Sequence, residues 1–228
     1  MPKQKILFLH GALGAASNFD ALIKSCSECY DCMAIDFPGH GQAAKDLDFS
    51  IEAFTDFLIR HIKQQEEAPV LVFGYSMGGY IALNAMTQQP DLFAKVMTLG
   101  TKFNWTIDEG SKQAATLNAE KIMEKVPQYA AYLSQLHAAH DWKEVMSDTA
   151  SLIARLAAAP PLDISLLSTL EKPVCVGLGD RDQMVTLEET ENVYKQCKQG
   201  SLYVVPQMPH PIEKIHCALM MAHMQSFF

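Results

Sequence analysis

Residues 70–80, VLVFGYSMGGY, decide the fold class, because an apolar run ends there at glycines that flank one serine. The run has the β-branched and aromatic residues typical of a buried strand, and the residues after it predict a helix that Pro90 ends. A sharp strand-to-helix turn crowds the positions two residues before and after its centre, so glycine is favoured there. Gly74 and Gly78 occupy those positions around Ser76. The stretch therefore predicts a serine at a helix N-terminus, where backbone N–H groups favour negative charge.

Short apolar runs recur along the chain, with helical patterns between them. They cover residues 5–9, 32–36, 69–73, 95–100, 173–178 and 201–205. Because these runs are continuously apolar rather than alternating, each strand should be buried on both faces, as in a parallel sheet covered by helices. Residues 51–62 show the helical pattern, with Asp48 or Ser50 as candidate N-cap. An α/β fold with a mostly parallel sheet of about six strands follows.

The interval between the fourth and fifth strands is longer than one crossover needs. It is rich in Ala, Lys, Glu and Gln, and its pattern predicts several helices. We therefore expect a single domain over residues 1–228, with a helical cap inserted at residues 102–168. The aromatic residues of this interval are either the wall of a substrate pocket or the cap's own core. They are Phe103, Trp105, Tyr129, Tyr132 and Trp142.

Composition and charge exclude several classes of partner. The chain has 228 residues, 49% of them hydrophobic, and a formal net charge of -8 from 26 acidic and 18 basic residues. Without a cluster of Lys and Arg, neither a nucleic acid nor an anionic membrane surface is expected to bind. No segment has the roughly 18 uninterrupted apolar residues of a membrane span, and the first apolar run is too short for a secretion signal. We expect a soluble cytoplasmic protein that acts on a small molecule, with its oligomeric state open.

Three cysteines have the spacing of a metal site. Cys26, Cys29 and Cys32 form a C-x2-C-x2-C pattern of the kind that iron–sulfur and zinc sites use. No fourth ligand follows at a suitable spacing. We interpret them as reduced thiols at a helix end and the start of the next strand, and we expect no metal, no cofactor and no disulfide.

A serine hydroxyl is a weak nucleophile and needs a base that a third group holds in place. His210 follows the last strand in a proline-rich loop, just beyond the carboxyl end where open α/β sheets gather their sites. It is the favoured base, with His216 second. The remaining histidines, in glycine-adjacent turns, in helices and in the cap interval, are His10, His40, His61, His137, His140 and His223.

Two carboxylates follow the strand at residues 174–178. Asp180 and Asp182 both leave that strand end, and either could orient the base. The alternative for each is ordinary turn chemistry, because Asp is common in turns after strands.

The order serine, aspartate, histidine resembles the α/β-hydrolase family over nearly the whole chain. The matching stretches are LFLHGALG, AIDFPGHG, GYSMGG, PVCVGLGDRDQMV and MPHPIEK. The resemblance implies that the catalytic acid is Asp182 and that Asp180 is its structural neighbour. It also implies that the backbone N–H groups of Ala12 and Met77 bind an oxyanion. The chain begins near the family's third strand, which predicts a minimal six-stranded sheet.

The resemblance implies a serine hydrolase that cleaves a carboxylic ester or thioester through an acyl-enzyme on Ser76. The substrate pocket is expected to include His10, Tyr75, Phe103 and Trp105.

Two alternatives use the same residues. One is a lyase similar to the menaquinone-pathway synthase of this fold, although Tyr80 stands where that synthase has an arginine. The other is a ligand-capture receptor or interaction module that keeps the triad.

Overall fold

The computed structural model describes residues 3–65 and 68–228. Six strands form one sheet in the order β2-β1-β3-β4-β5-β6, and every neighbouring pair is parallel. They are β1 (Gln4–Leu9), β2 (Tyr30–Ile35), β3 (Val70–Tyr75), β4 (Phe93–Leu99), β5 (Val174–Gly179) and β6 (Gly200–Val205). This confirms the predicted α/β fold and its six parallel strands.

The helices are α1 (Asp20–Cys26), α2 (Ile51–Gln64), α3 (Met77–Gln88), α4 (Ile107–Thr116), α5 (Ala119–Lys125), α6 (Pro127–Leu136), α7 (Trp142–Ala158), α8 (Leu187–Gln196) and α9 (Cys217–Phe227). Of the two predicted N-caps of α2, the structure uses Ser50, whose side chain accepts a hydrogen bond from the N–H of Ala53 at 3.2 Å. The helix after Ser76 ends just before Pro90, as predicted.

Both faces of the sheet are covered by helices. One core lies between the sheet and the pair α1 and α9, and it contains Phe8, Phe19 and Met220. The other lies against α2, α3 and α8 and contains Phe54 and Ile81. The inner strands β1, β3, β4 and β5 are largely buried on both faces, which explains their continuously apolar sequences, whereas the edge strands β2 and β6 are partly exposed.

Helix α3, which begins next to Ser76, is buried from Met77 to Met86. Its polar residue Asn84 donates from Nδ2 to Oγ1 of Thr55 on α2 at 3.0 Å. That hydroxyl in turn donates to the carbonyl of Ile51 at 2.7 Å. The polar groups are therefore satisfied inside the core, which fixes α3 against α2.

The predicted cap interval, residues 102–168, contains α4, α5, α6 and α7. Helices α4 and α7 pack closely, since a Cβ on Gly110 would lie 2.2 Å from the Cβ of Ala157. Arg155 of α7 donates a hydrogen bond to the carbonyl of Phe49, which ties this interval to the loop before α2. That the interval acts as a cap stays a prediction.

The junction of α6 and α7 is joined to two loops at the end of the sheet through histidines. His137 Nδ1 accepts from the N–H of Gly41 at 2.9 Å, so Nε2 carries the proton and donates to the carbonyl of Leu13 at 3.1 Å. His140 Nε2 donates to the carbonyl of Ala43 at 2.9 Å. His137 therefore needs its neutral form, because an imidazolium could not accept from Gly41.

Two further histidines are buried beside His137. The His10 ring lies 4.9 Å from the His40 ring, and His40 is stacked on Phe49 at 4.7 Å. Burial, which disfavours the charged imidazolium, lowers the pKa of His10 from 6.5 to about 4. Burial also lowers the pKa of His40 and of His137. Asp36 opposes the shift at His10 and His137, but burial outweighs it.

We predict that the free energy of unfolding falls as the pH drops below about 6.5. Below that pH the unfolded chain takes up protons on histidines that the folded chain keeps neutral. For His10 the resulting loss of unfolding free energy begins below pH 6.5 and grows until the pH reaches its folded pKa of about 4. His10 alone should cost about 2 kcal/mol at pH 5. Urea unfolding at a series of pH values measures this loss.

His40→Phe supplies the comparison for this measurement. It keeps an aromatic ring on Phe49 and gives up a long contact of 3.4 Å between His40 Nδ1 and the carbonyl of Pro38. The variant should lose up to ~1.4 kcal/mol per pH unit from the slope of stability against pH, the value for one proton. An unchanged slope would show that His40 does not contribute.

Candidate active site

The turn from β3 to α3 holds Ser76 in a strained backbone conformation. Ser76 has φ 51° and ψ -117°, backbone angles that residues other than glycine rarely adopt. Its N–H donates to the carbonyl of Leu99 at 2.9 Å. A Cβ on Gly78 would lie 2.3 Å from the carbonyl oxygen of Leu9, and one on Gly74 would lie 2.5 Å from the Cα of Gly79 in α3. Glycine is required at both positions, as the sequence predicts.

Asp182 and His210 are in direct contact. His210 Nδ1 lies 2.7 Å from Asp182 Oδ2, and the Asp182 side chain is only 1% exposed. The other oxygen, Oδ1, accepts from the N–H groups of Met184 at 2.8 Å and Val185 at 3.0 Å. With Nδ1–H donating to the carboxylate, the lone pair of His210 is on Nε2.

Ser76 and His210 line the same cavities. Within the described residues, Ser76 Oγ makes no hydrogen bond of 3.5 Å or less. In enzymes without substrate the contact between serine and histidine is often longer than a hydrogen bond and shortens in the reactive complex. The arrangement can thus supply a hydroxyl, a base with a free lone pair, and a carboxylate that orients it.

The structure separates the alternative candidates from this site. The Asp180 side chain is exposed, and its backbone N–H donates to the carbonyl of Val205 at 3.0 Å. His216 is the exposed N-cap of α9, where its Nδ1 accepts from the N–H of Leu219 at 3.3 Å. Both have the local roles that turns and helix ends require.

Tyr75 supports the histidine. Its hydroxyl donates to the carbonyl of His210 at 2.8 Å, and the two rings are 5.4 Å apart. Burial raises the pKa of Tyr75, so the hydroxyl stays a donor. Gly100, at φ +61°, allows close packing, since a Cβ there would lie 3.3 Å from Asp182 Oδ2 and 3.4 Å from the His210 ring. Sequence reasoning included Tyr75 in the pocket and missed its hydrogen bond to His210.

The two proposed oxyanion donors lie beside the serine. Ala12 and Met77 both line the smaller cavity with Ser76. Met77 is the first residue of α3, so its N–H has no partner inside the helix. Ala12 lies in a tight turn in which the N–H of Gly14 donates to the carbonyl of Gly11 at 3.0 Å. One N–H group therefore belongs to the start of α3 and the other to a hydrogen-bonded turn after β1.

Two cavities meet at Ser76 and His210. The smaller has a volume of about 40 Å³, and its walls include Tyr80, Trp105 and Leu156. The larger has a volume of about 360 Å³ and is lined by more polar side chains. These polar side chains belong to Asn18, Tyr75, Gln113, Thr116, Tyr129, Tyr132, Thr149 and Glu213.

Two of the residues predicted for the pocket do not line either cavity. His10 is fully buried and faces inward, because its Nε2 accepts from the N–H of Phe37 at 3.0 Å. Phe103 is buried against Tyr80, with ring centroids 6.5 Å apart. Tyr75 lines the larger cavity and Trp105 lines the smaller one, and their contact with a substrate stays a prediction. Trp142, in contrast, belongs to the hydrophobic core.

The three cysteines of the C-x2-C-x2-C pattern, interpreted above as reduced thiols, lie between the end of α1 and the start of β2. All six cysteines are free, and Cys26 is buried at the end of α1. Burial raises the pKa of the Cys26 thiol to about 12, so it is protonated at neutral pH. Over residues 3–65 and 68–228, no group of three or more His, Cys, Asp or Glu side chains could hold a metal ion. In the same part of the chain, no helix is long and apolar enough to cross a membrane.

A family model for the serine aminopeptidase S33 hydrolases matches residues 1–214. Among solved structures, NosK from Streptomyces actuosus superimposes with a TM-score of 0.85, covering 99% of this chain and 97% of that one at 20% identity. Similarity at this identity shows a shared fold. The six-stranded sheet is therefore that of the α/β-hydrolases, as the sequence predicts.

Two curated relatives are informative. The pimeloyl-[acyl-carrier protein] methyl ester esterase of Neisseria meningitidis serogroup A is 24% identical over 225 residues, 91% of this chain and 71% of the relative. A putative 2-succinyl-6-hydroxy-2,4-cyclohexadiene-1-carboxylate synthase of Haemophilus influenzae is 32% identical over 133 residues, 54% of this chain. The matched segment spans 52% of the Haemophilus protein, and a match to the uncharacterized hydrolase YugF of Bacillus subtilis, 32% identical over 99 residues, spans 36% of that protein.

We predict that Tyr75→Phe slows the reaction of Ser76 with a fluorophosphonate roughly three- to tenfold, because the loop that carries His210 loses its hydrogen bond. The variant should also lose about 1 kcal/mol of stability. Tyr203→Phe is the matched control, since the Tyr203 hydroxyl donates to the carbonyl of Thr98 at 2.9 Å. It should lose similar stability and keep the labelling rate. Equal labelling by both variants would contradict the supporting role of Tyr75.

Proposed function

The chain belongs to the serine aminopeptidase S33 family of hydrolases, and from that premise we propose that it cleaves a carboxylic ester or thioester of a small molecule through an acyl-enzyme on Ser76. The observation that carries the proposal is the 2.7 Å contact between His210 Nδ1 and Asp182, beside a serine in a strained turn. The esterase relative from Neisseria supports an ester as the substrate.

In the first step, Ser76 Oγ attacks the carbonyl carbon while His210 Nε2 takes the hydroxyl proton. Asp182 holds the imidazole in the tautomer that this step needs and stabilises the imidazolium that forms. The two backbone N–H groups anchored at Asp182 Oδ1 keep the carboxylate in place. The aspartate is therefore positioned before substrate binds.

The carbonyl oxygen becomes an oxyanion as the bond to Ser76 forms. We propose that the N–H groups of Ala12 and Met77 bind it, helped by the N-terminus of α3. The imidazolium of His210 then protonates the leaving alcohol or thiol. Water, activated by the same histidine, hydrolyses the acyl-enzyme and releases the acid.

We also propose that residues 102–168 act as a cap within one domain over residues 1–228. The support is that this interval supplies walls to both cavities at Ser76. Trp105 and Leu156 line the smaller cavity, and Tyr129 and Tyr132 line the larger. A substrate would be enclosed between this interval and the end of the sheet, with water excluded from the reacting bond.

A lyase reaction is the second candidate, because the Haemophilus relative is a putative synthase of the type resembled in sequence. Tyr80 stands where the resemblance requires an arginine for the substrate carboxylate. Its hydroxyl accepts from the N–H of Leu162 at 3.2 Å, and burial raises its pKa to about 12, so it is uncharged. Lys102 lines the same cavity but lies 3.8 Å from Glu109 and from Glu189. Hydrolysis is therefore favoured.

Covalent labelling tests the acyl-enzyme directly. Intact-mass spectrometry after a fluorophosphonate probe should give one adduct on the wild type and none on Ser76→Ala. Hydrolysis of p-nitrophenyl esters should fall by at least ~10³-fold in the same variant. Folded wild-type protein that takes up no adduct would overturn the proposal. Labelling without multiple turnover would favour the lyase or the ligand-capture alternative.

The two neighbouring aspartates provide a matched pair of variants. Asp182→Asn should lower kcat for ester hydrolysis by about 10⁴-fold, because the amide favours the wrong histidine tautomer. Asp180→Asn should stay within about twofold, since that side chain is exposed and does not contact His210. Steady-state kinetics on both proteins measures the difference. Comparable losses in the two variants would refute the assignment of Asp182.

A further inference from the structure

The larger cavity at Ser76 has an asymmetric charge. Among the described residues that line it, Glu213 is the one Asp, Glu, Lys or Arg side chain. Glu213 lies in the short 3-10 turn at Ile212–Lys214, three residues after His210. The local charge of this cavity is therefore negative.

Glu213 accepts hydrogen bonds from two neutral side chains. Its Oε1 accepts from the hydroxyl of Tyr132 at 3.1 Å and, more weakly, from Asn18 Nδ2 at 3.4 Å. Asn18 Nδ2 also donates to the Tyr132 hydroxyl at 2.5 Å. Over residues 3–65 and 68–228, no Lys, Arg or His nitrogen lies within 4.0 Å of the Glu213 carboxylate. The carboxylate is oriented by neutral groups, and in the described part of the chain no cationic side chain is paired with it.

Two aromatic side chains line the cavity together with this carboxylate. The rings of Tyr129 and Tyr132, one turn apart on α6, are stacked at 6.1 Å and 22°, and both line the cavity. Burial raises the pKa of Tyr129 and raises that of Tyr132 to about 12, and the charge of Glu213 adds to both shifts. Both phenols therefore stay neutral, and their ring faces can attract a cation.

An oriented carboxylate beside tyrosine faces is the chemistry that recognises an ammonium group. A carboxylate-bearing substrate would instead be repelled by Glu213, and a neutral one would gain nothing from it. The formal net charge of the chain, -8, acts in the same direction.

We propose that Glu213, Tyr132 and Tyr129 form a subsite that binds an ammonium group of the substrate while its ester bond lies at Ser76. This proposal rests on the proposed function, because the subsite is assigned to a substrate whose ester is hydrolysed at Ser76. The ammonium group is on either the alcohol or the acyl part of the ester, and two pairs of substrates distinguish these sources.

Each pair compares a cation with its neutral isostere. Acetylthiocholine carries the charge on the thiol part, and its control has a tert-butyl group in place of trimethylammonium. The p-nitrophenyl ester of ε-aminocaproic acid carries the charge on the acyl part, and p-nitrophenyl heptanoate is its control. In at least one pair, kcat/KM for the cation should exceed that for the isostere by roughly fivefold at low salt. The ratio should fall as salt is added.

Glu213→Gln tests the carboxylate while keeping its size and its acceptor oxygen. The preference, measured as the ratio of kcat/KM for the cation to kcat/KM for the neutral isostere in the same variant, should fall to about one. Glu28→Gln removes the same charge from an exposed turn after α1, outside the cavity, and should retain the preference. Wild-type ratios at or below one in both pairs, or a ratio unchanged in Glu213→Gln, would overturn the subsite.

A binding measurement separates failure of the subsite from failure of the reaction. The Ser76→Ala variant is titrated by calorimetry with choline and with 3,3-dimethylbutan-1-ol, the neutral isostere of choline. Tighter binding of choline, lost on adding Glu213→Gln, supports the subsite even if no ester is hydrolysed. Equal binding rejects the subsite, including the case in which Ser76 is labelled and neutral esters are cleaved.

Discussion

The close approach of Gly78 to the carbonyl of Leu9 is the constraint on which the site depends. Because no Cβ fits between them, α3 begins directly against the end of β1. The same approach brings the turn after β1, with Ala12, next to Ser76. The N–H of Ser76 is meanwhile bonded to the carbonyl of Leu99, so β4 ends at the same point. A strained residue can persist here because three strand ends hold it from different sides.

The parallel sheet extends this convergence to the proposed base and acid. Strands β5 and β6 end on the same side as β3, and the loops after them carry Asp182 and His210. Gly100 removes the side chain that would otherwise separate this pair from the end of β4. Tyr75, the last residue of β3, bonds to the His210 backbone. The loop of the base is therefore fixed by the strand that leads into the serine.

Features encoded by neighbouring residues could be predicted from the sequence, and features that need distant residues could not. The strands and the turn around Ser76 follow from local patterns, whereas the preference for Asp182 over Asp180 comes from the family resemblance. The inward orientation of His10 depends on the N–H of Phe37, 27 residues away in the chain. Glu213 meets Asn18 and Tyr132 across separations of 195 and 81 residues, so no local pattern marks it as a cavity residue. The sequence predicts Phe103 in the substrate pocket, but the N–H of Phe103 donates to the Glu189 carboxylate and the Phe103 ring packs on Tyr80.

The buried histidines add a second dependence between distant parts of the chain. His137 donates to the turn after β1 and accepts from the loop after β2, so its neutral ring joins the helical interval to both. Leu13, whose carbonyl receives that bond, follows Ala12 directly and has a φ of 57°. The same turn thus provides a wall of the cavity at Ser76 and an attachment for the helices that line the opposite side. A displacement of the α6–α7 junction would be transmitted through one imidazole to the turn that carries Ala12, and this requires the neutral ring that bonds at both nitrogens.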